Sequence, residues 1–155
     1  MVAAIERLDA TSDSDLEEVY QLYQKSYGFE ADQIGARLFP PMMREVADLR
    51  FQASQFYGLR EQGKLIGVAE VNDHLERQCD IYALVVDPGH FRRGHGSRLL
   101  SHVVQRYYLK PLFARSIYKN PRSTPLYGNF GFYDNGREFY NNGMQIVVWR
   151  LDPRN

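Results

Sequence analysis

YALVVDPGHFRRGHGSRLL, residues 82–100, is the stretch of sequence that most restricts the fold of this chain. It continues an apolar run that starts at residue 79 and is too continuous for a surface strand, so a central strand is indicated. A loop containing Gly94 and Gly96 follows. From Leu99 onwards apolar residues recur at helical spacing. The pattern therefore predicts a buried strand, a tight loop and a helix.

The loop has the composition of a phosphate-binding site. Glycines allow a backbone to approach a ligand closely, and the free N–H groups and dipole at a helix start attract anions. We therefore expect a pyrophosphate cradle made of Arg92, Arg93, Gly94, His95, Gly96 and Ser97. A plain strand-to-helix turn is the alternative. The Walker and dinucleotide motifs do not fit, because no Gly-Lys-Ser/Thr follows and a third glycine is missing after Gly96.

Helices are predicted on the N-terminal side of this stretch. Ser14 and Glu17 form a capping box for a first helix, and Gly28 is its predicted end. Residues 32–49 are interpreted as helical in pieces, because Pro40 and Pro41 interrupt them. This broken segment could line a substrate pocket, or it could be a bent connection.

The remaining segments predict strands in a mixed α/β sheet. Two hairpins are indicated, with turns at residues 61–64 and 141–143. Strands 80–86 and 112–118 should be parallel neighbours, and helix 97–110 should join them by a right-handed crossover.

Two motifs resemble those of the GNAT acetyltransferase family. Val86-Asp87-Pro88 followed by Gly94-x-Gly96 is similar to its coenzyme A motif, V-x-P-x-x-(R/Q)-x-x-G-x-(G/A). The position usually held by Arg or Gln is Phe91, so we expect one phosphate anchor to be lost, with Arg92 as the candidate replacement.

Residues 120–132, NPRSTPLYGNFGF, resemble the second motif, N-x-x-(A)-x-x-(L/F)-Y-x-x-x-G-F. Asn120, Tyr127, Gly131 and Phe132 fall at its spacings, and Ser123 stands at the usual alanine position. In the family this asparagine contacts the cofactor and this tyrosine lies near the coenzyme A sulfur. A packed aromatic residue on a short helix is the alternative interpretation of Tyr127.

The resemblance implies an α/β (α+β) fold, with a mixed, mostly antiparallel sheet of about six or seven strands, about four helices and a central splayed parallel pair. It implies acetyl-CoA as co-substrate and acetyl transfer to a primary amine of a small molecule or protein. The cofactor-binding residues it implies are Leu84, Val85, Val86, Arg92, Arg93, Gly94, His95, Gly96, Ser97, Asn120 and Tyr127.

The reaction assigns further roles. Tyr127 would protonate the leaving thiolate, and the backbone N–H groups of Leu84 and Val86 would stabilise the oxyanion. A base must remove a proton from the amine. Asp80, at the start of the central strand, is one candidate for the base, and Glu70 on the preceding strand is the other. Either carboxylate could instead be a solvated strand end.

Composition excludes several classes of function. The chain has 155 residues, which predicts one domain over 1–155, and its 19 basic and 19 acidic residues balance, which argues against a broad nucleic-acid surface. The four histidines (His74, His90, His95 and His102) lack zinc-site spacing, so no metal is expected. A single cysteine, Cys79, and the lack of a secretory or membrane-spanning pattern suggest a cytoplasmic protein with no membrane partner, as a monomer or homodimer.

Two other classes of function stay open. The first is a non-catalytic acetyl-CoA-binding or regulatory module on the same fold, which Phe91 favours and Tyr127 disfavours. The second is a nucleic-acid module using Arg92, Arg93, Arg98 and Arg106, which the neutral net charge disfavours. The acceptor amine is not indicated, because the first 50 or so residues match no motif.

Overall fold

The computed structural model describes residues 4–37, 39–73, 76–118 and 120–154. Within these ranges the chain forms seven strands and four α-helices. The strands are β1 (Glu6–Arg7), β2 (Gln55–Glu61), β3 (Lys64–Asn72), β4 (Cys79–Val86), β5 (Leu112–Ile117), β6 (Tyr133–Phe139) and β7 (Gln145–Leu151). The helices are α1 (Asp13–Ile34), α2 (Val46–Phe51), α3 (His95–Arg106) and α4 (Ser123–Asn129).

The strands form one sheet in the order β1-β2-β3-β4-β5-β7-β6. Only β4 and β5 pair in parallel, and α3 connects them. Their pairing is limited to residues 79–81 of β4 and 112–114 of β5. Beyond these residues β5 still pairs with β7, whereas β4 has β3 as its pairing partner. The predicted mixed sheet with a splayed parallel pair is confirmed, and the strands leave a gap between them.

A bulge in β4 lies where the gap begins. Ile81 is opposite Val71 and Ala83 is opposite Glu70, so Tyr82 is an extra residue without a partner on β3. Ile81 belongs to the core cluster beneath α3, whereas Ala83 and Val85 belong to the cluster beneath α1. Before the bulge, the odd-numbered side chains of β4 therefore lie on the face of the sheet that α3 covers. After the bulge, they lie on the face that α1 covers.

Helix α1 differs from the sequence-based prediction at both ends. Its N-cap is Ser12, whose hydroxyl accepts from the N–H of Asp15 at 3.2 Å, so the predicted Ser14–Glu17 capping box is wrong. The helix continues through Gly28 and ends at Gly35, which has a left-handed φ of 70°. A glycine inside a helix costs only about 1 kcal/mol. Apolar packing beyond Gly28, by Ala31 and Ile34, outweighs that cost.

The other helices pack against both faces of the sheet. Helix α3 buries Leu99, Leu100, Val103 and Val104 of the predicted stripe against the sheet. It ends at Arg106, before the predicted residue 110, so Tyr107 and Tyr108, which were predicted to continue the stripe, lie beyond the helix. The two prolines start a 3₁₀ turn, Pro40–Met43, so residues 32–49 are helical in pieces as predicted. No helix in the described ranges has the length and apolar content to cross a membrane.

Candidate functional site

The gap between β4 and β5 exposes backbone N–H groups. In an antiparallel ladder, opposed residues alternate between pairs that bond to each other and pairs whose polar groups point outward. Asp87 N–H donates to the carbonyl of Ile66 on the β3 side at 2.7 Å. Val86 is the neighbour of Asp87, so the polar groups of its pair must point outward. Leu84 lies two positions before Val86, so the polar groups of its pair point outward as well. Their N–H groups face the gap, where β5 has separated from β4.

Beside the gap, the loop before α3 has the conformation of a cradle. Gly94 is the N-cap of α3 with a φ of 77°, and Arg92 also has a positive φ, 64°, which is uncommon for a residue with a side chain. A cavity of about 610 Å³, the α3 cavity, lies over this loop. Its walls include nearly all the predicted cofactor residues, namely Leu84, Val85, Val86, Arg92, Gly94, His95, Gly96, Ser97, Asn120 and Tyr127. Arg93 is outside these walls, within 3.7 Å of Glu61.

The donors of the α3 cavity fit a phosphorylated cofactor. His95 is 7% exposed, and its Nε2 has no hydrogen-bond partner among the described residues. Burial lowers the pKa of His95, so the ring is neutral at pH 7, and its Nε2 is shielded from solvent. A β-carbon on Gly96 would lie 3.7 Å from Leu126 Cδ2. The absence of a side chain at Gly96 leaves that space above the helix start available to a ligand.

Phe91, at the position where the motif usually has Arg or Gln, packs into the same wall. Its ring meets that of Phe29 edge to face, with centroids 5.4 Å apart. The guanidinium of Arg122, from the loop before α4, lies 4.4 Å from the centre of the Phe91 ring. A cation is therefore held at this position, although it comes from the other side of the cleft rather than from the motif.

A second cavity of about 410 Å³ lies on the other side of the gap. We call it the tyrosine cavity, because Tyr27, Tyr82, Tyr127 and Tyr140 line it. The two cavities share six residues, so they meet at one place. The shared residues are Tyr27, Glu30, Leu84, Asn120, Ser123 and Tyr127.

Tyr127 lies at this meeting point. Its ring stacks on Trp149, with centroids 5.8 Å apart, and meets Phe132 edge to face at 5.3 Å. Burial, and then the charge of Glu30, raise the pKa of Tyr127 well above its ordinary value. The phenol therefore keeps its proton at neutral pH and can act as a donor.

Asp80 lines the tyrosine cavity, but its carboxylate already has partners. Oδ1 accepts from Gln78 Nε2 at 3.1 Å and lies 3.5 Å from Arg115 Nη1. Arg115 also donates to Glu138 at 2.6 Å. The structure thus brings Asp80 to the site within an ion-pair network, and its role as a base stays a prediction.

Glu70 is fully buried and lies outside the walls of both cavities. Arg44 donates to both carboxylate oxygens, at 2.8 and 2.7 Å. The hydroxyls of Tyr23 and Ser54 donate as well, at 2.9 and 2.7 Å. The arrangement is that of a structural ion pair. The prediction of Glu70 as a base therefore has no support from its position.

Sequence reasoning missed Glu30. It lies on the last two turns of α1, beyond the helix end that was predicted at Gly28. The apolar spacing of Tyr27, Ala31 and Ile34, followed by Gly35, is the signal that the helix continues and carries Glu30 on one of its faces.

The remaining polar candidates add no further site. Burial raises the pKa of Cys79 to about 12, so its thiol stays protonated at neutral pH. His74 lies outside the described residues. Within the described part of the chain, no three His, Cys, Asp or Glu side chains are grouped as metal ligands.

The chain is similar in sequence or in fold to several known proteins. The chain is 29% identical over 140 residues to the UPF0157 protein YqkA of Bacillus subtilis strain 168, across 88% of this chain and 40% of that relative. The chain thus spans well under half the length of that curated relative. Its fold is similar to that of the ribosomal-protein-S18-alanine N-acetyltransferase from Escherichia coli, with a TM-score of 0.78, 18% identity, and coverage of 100% of this chain and 96% of the other.

It is also similar to yncA from Salmonella typhimurium, whose structure contains its cofactor acetyl-CoA. Here the TM-score is 0.71 and the identity 15%, over 98% of this chain and 94% of the other. The model of the acetyltransferase (GNAT) family matches residues 16–132, which include most of α1, the gap, the cradle and Tyr127. This chain therefore belongs to the GNAT acetyltransferase family.

Proposed function

We propose that this chain transfers the acetyl group of acetyl-CoA to a primary amine of a small molecule or protein, with Tyr127 as the general acid. The observation that carries the proposal is the meeting of two cavities at the gap in the sheet. One cavity contains the phosphate cradle and the other is lined by tyrosines. At their junction are a backbone N–H donor, a protonated phenol and a carboxylate.

The α3 cavity is the proposed acetyl-CoA site. When bound there, the cofactor supplies an acetyl carbonyl activated as a thioester. The backbone N–H groups at the start of α3, including that of His95, and the side chain of Arg92 would hold its diphosphate. Arg122 adds a cation from the opposite wall, which compensates for Phe91.

The outward-facing N–H groups of Leu84 and Val86 are suited to the oxyanion. They are fixed by the pairing of β4 with β3 and therefore need no reorganisation when negative charge develops on the acetyl oxygen. Removing one such donor in other enzymes lowers kcat by about 100- to 1,000-fold, so this term is expected to be the largest contribution from the chain.

Tyr127 would donate to the departing sulfur. A thiolate is a weaker base than a phenolate, and burial weakens the acidity of Tyr127 further. Its contribution should therefore fall at the low end of the range for general acids. Asp80, with Glu70 as the alternative, is the proton acceptor that the sequence suggests.

A non-catalytic acetyl-CoA-binding module is the second candidate. Phe91 in the motif, and the engagement of Asp80 and Glu70 in ion pairs, are the observations that favour it. Both candidates predict binding of acetyl-CoA, so turnover separates them.

The test combines binding with turnover. Calorimetric titration of the purified chain with acetyl-CoA is expected to show one site with a dissociation constant in the micromolar range, as is typical of enzyme substrates. Release of coenzyme A is then followed with a panel of primary amines. Absence of binding at millimolar acetyl-CoA contradicts the proposal as a whole. Binding without coenzyme A release for any amine favours the non-catalytic module.

A further inference from the structure

Glu30 lies where an acceptor amine would have to approach the acetyl group. It projects from the last turns of α1 and lines both the α3 cavity and the tyrosine cavity. Tyr127 and Leu84, which the proposed chemistry requires, line the same two cavities. Tyr27 lines both cavities as well, and Tyr140 lines the tyrosine cavity. Burial, and then the charge of Glu30, raise the pKa of Tyr27, Tyr127 and Tyr140.

Among the described residues, no cation forms a direct ion pair with the carboxylate of Glu30. The side-chain oxygen of Asn120, which lines both cavities beside Glu30, accepts from the N–H of Arg122 at 3.0 Å. The guanidinium of Arg122 is directed towards Phe91 and Gln33. Burial raises the pKa of Glu30, although the amide of Asn120 and the charge of Arg122 oppose that rise. A partly buried carboxylate of this kind attracts a cation.

The other charged side chains around the tyrosine cavity already form pairs. Arg44 donates to both oxygens of Glu70, and Arg115 bonds to Glu138 and lies against Asp80. Each guanidinium of the described lining is therefore committed to carboxylates. The carboxylates that line this cavity are those of Glu30 and Asp80, so a ligand carboxylate entering it would be repelled. A ligand ammonium would meet Glu30 and the tyrosine rings of the lining, both of which attract it.

We propose that Glu30 binds the ammonium group of the acceptor and removes its proton, and that the acceptor is an amine with no carboxylate on the carbon next to its nitrogen. Simple alkylamines and peptide N-termini belong to this class, whereas free α-amino acids do not. This inference rests on the proposed acetyl transfer.

The step balances as follows. Glu30 accepts one proton from the ammonium and passes it to solvent. The freed nitrogen lone pair forms the C–N bond to the acetyl carbon while the C–S bond breaks. Tyr127 donates its proton to the sulfur, and the second proton that the nitrogen loses restores the phenol of Tyr127. An ammonium and an acetyl thioester thus give an amide, a thiol and one proton.

The first measurement uses the Glu30→Gln variant, which keeps the size and hydrogen bonding of the side chain but removes its charge. With L-alaninamide as acceptor, kcat/KM should fall by about 100-fold, the lower end of the range for a general base. The calorimetric dissociation constant for acetyl-CoA should stay within about twofold, because the cradle is unchanged. Glu17→Gln makes the same change on an exposed turn of α1 and should retain the rate of the wild-type protein.

The second measurement compares L-alaninamide with L-alanine, which present the same amine beside an amide or a carboxylate. The wild-type protein should prefer the amide by at least about tenfold in kcat/KM, because the carboxylate is repelled. A preference for alanine overturns the acceptor class. Full activity of Glu30→Gln overturns the role of Glu30.

A binding measurement separates this inference from the proposed function. L-Alaninamide is titrated into the wild-type protein and the Glu30→Gln variant, each saturated with coenzyme A. Tighter binding by the wild-type protein supports the Glu30 site even where no acetyl transfer is detected, in which case only the proposed function fails. Equal binding by both proteins, or binding by neither, overturns the inference.

Discussion

The two sides of the cleft are constructed from different parts of the chain. The side formed by β4 and the start of α3 presents backbone: outward N–H groups, glycines and a helix terminus. The side formed by α1, by the segment after the 3₁₀ turn and by β5 to β7 presents side chains that are bound in ion pairs. Arg115 of β5 pairs with Glu138 of β6, and Arg44 pairs with the buried Glu70 of β3 behind the cavity wall. Substitutions should therefore affect the two sides in different ways. On the first side, an added side chain should interfere with ligand binding. On the second side, the loss of one charge should leave its partner unpaired and lower the stability.

The largest effect is expected from Glu70→Gln, on the side-chain side. It leaves the Arg44 guanidinium without its carboxylate in a buried site, which should lower the free energy of unfolding by about 3 kcal/mol. Urea denaturation measures the change. Glu138→Gln removes an exposed partner of Arg115 and should cost below about 1 kcal/mol. Unchanged stability with a large loss of turnover would instead make Glu70 the base.

Gly96→Val tests the backbone side. A side chain there meets Leu126 and Val86 only at ordinary contact distances, so the fold should tolerate it. It fills the space above the helix start, however, and acetyl-CoA binding should weaken by at least about 100-fold in calorimetry. Gly28→Val, a matched change at a helical glycine outside the cavity walls, should leave that binding intact. Tight binding by Gly96→Val would show that the cradle is not the cofactor site.

Tyr127→Phe tests the point where the two sides meet. The ring and its stacking on Trp149 remain, so stability and acetyl-CoA affinity should be nearly unchanged. Loss of the hydroxyl should lower kcat by roughly ten- to a hundred-fold. Tyr118→Phe removes an exposed hydroxyl outside both cavities and serves as the control. A full rate for Tyr127→Phe would mean that the thiolate leaves unassisted or through water. If Tyr127→Phe keeps the full rate and only Tyr127→Ala loses stability, the role of Tyr127 is structural.

The smallest effect is expected at Asp87, which supports the loop of the backbone side. Burial opposes its charge, but the bonds from Lys25 and from the Gly89 N–H outweigh that, so the pKa of Asp87 is lowered from 3.8. A lowered pKa stabilises the fold above 3.8 and loses that contribution as the pH falls. Asp87→Asn should therefore cost about 1 kcal/mol at neutral pH. The difference should shrink as the pH falls below 3.8, and an unchanged difference at low pH would contradict the charge-based explanation.

The same contrast explains which features the sequence could predict. The cradle needs glycines at fixed positions between a strand and a helix, and such requirements are visible in a single sequence, so the parallel pair and its crossover were predictable. Glu30 is an ordinary residue in an ordinary helix. Its role depends on Asn120 and Tyr127, which are some 90 residues away in the chain. The ion pairs of Glu70 and Asp80 likewise depend on partners that are distant in the sequence.

The bulge at Tyr82 shifts the alternation of N–H directions along β4 by one residue. Before it, an odd-numbered residue, Cys79, directs its N–H towards β5 and donates to Pro111 at 3.0 Å. After it, the even-numbered Leu84 and Val86 do so. Without the extra residue, the odd-numbered residues would continue to direct their N–H groups towards β5. The N–H groups of Ala83 and Val85 would then face the gap. The side chains that line the cleft would then be exchanged for those that pack beneath α1. One residue thus determines which half of the strand's peptide groups is available for chemistry.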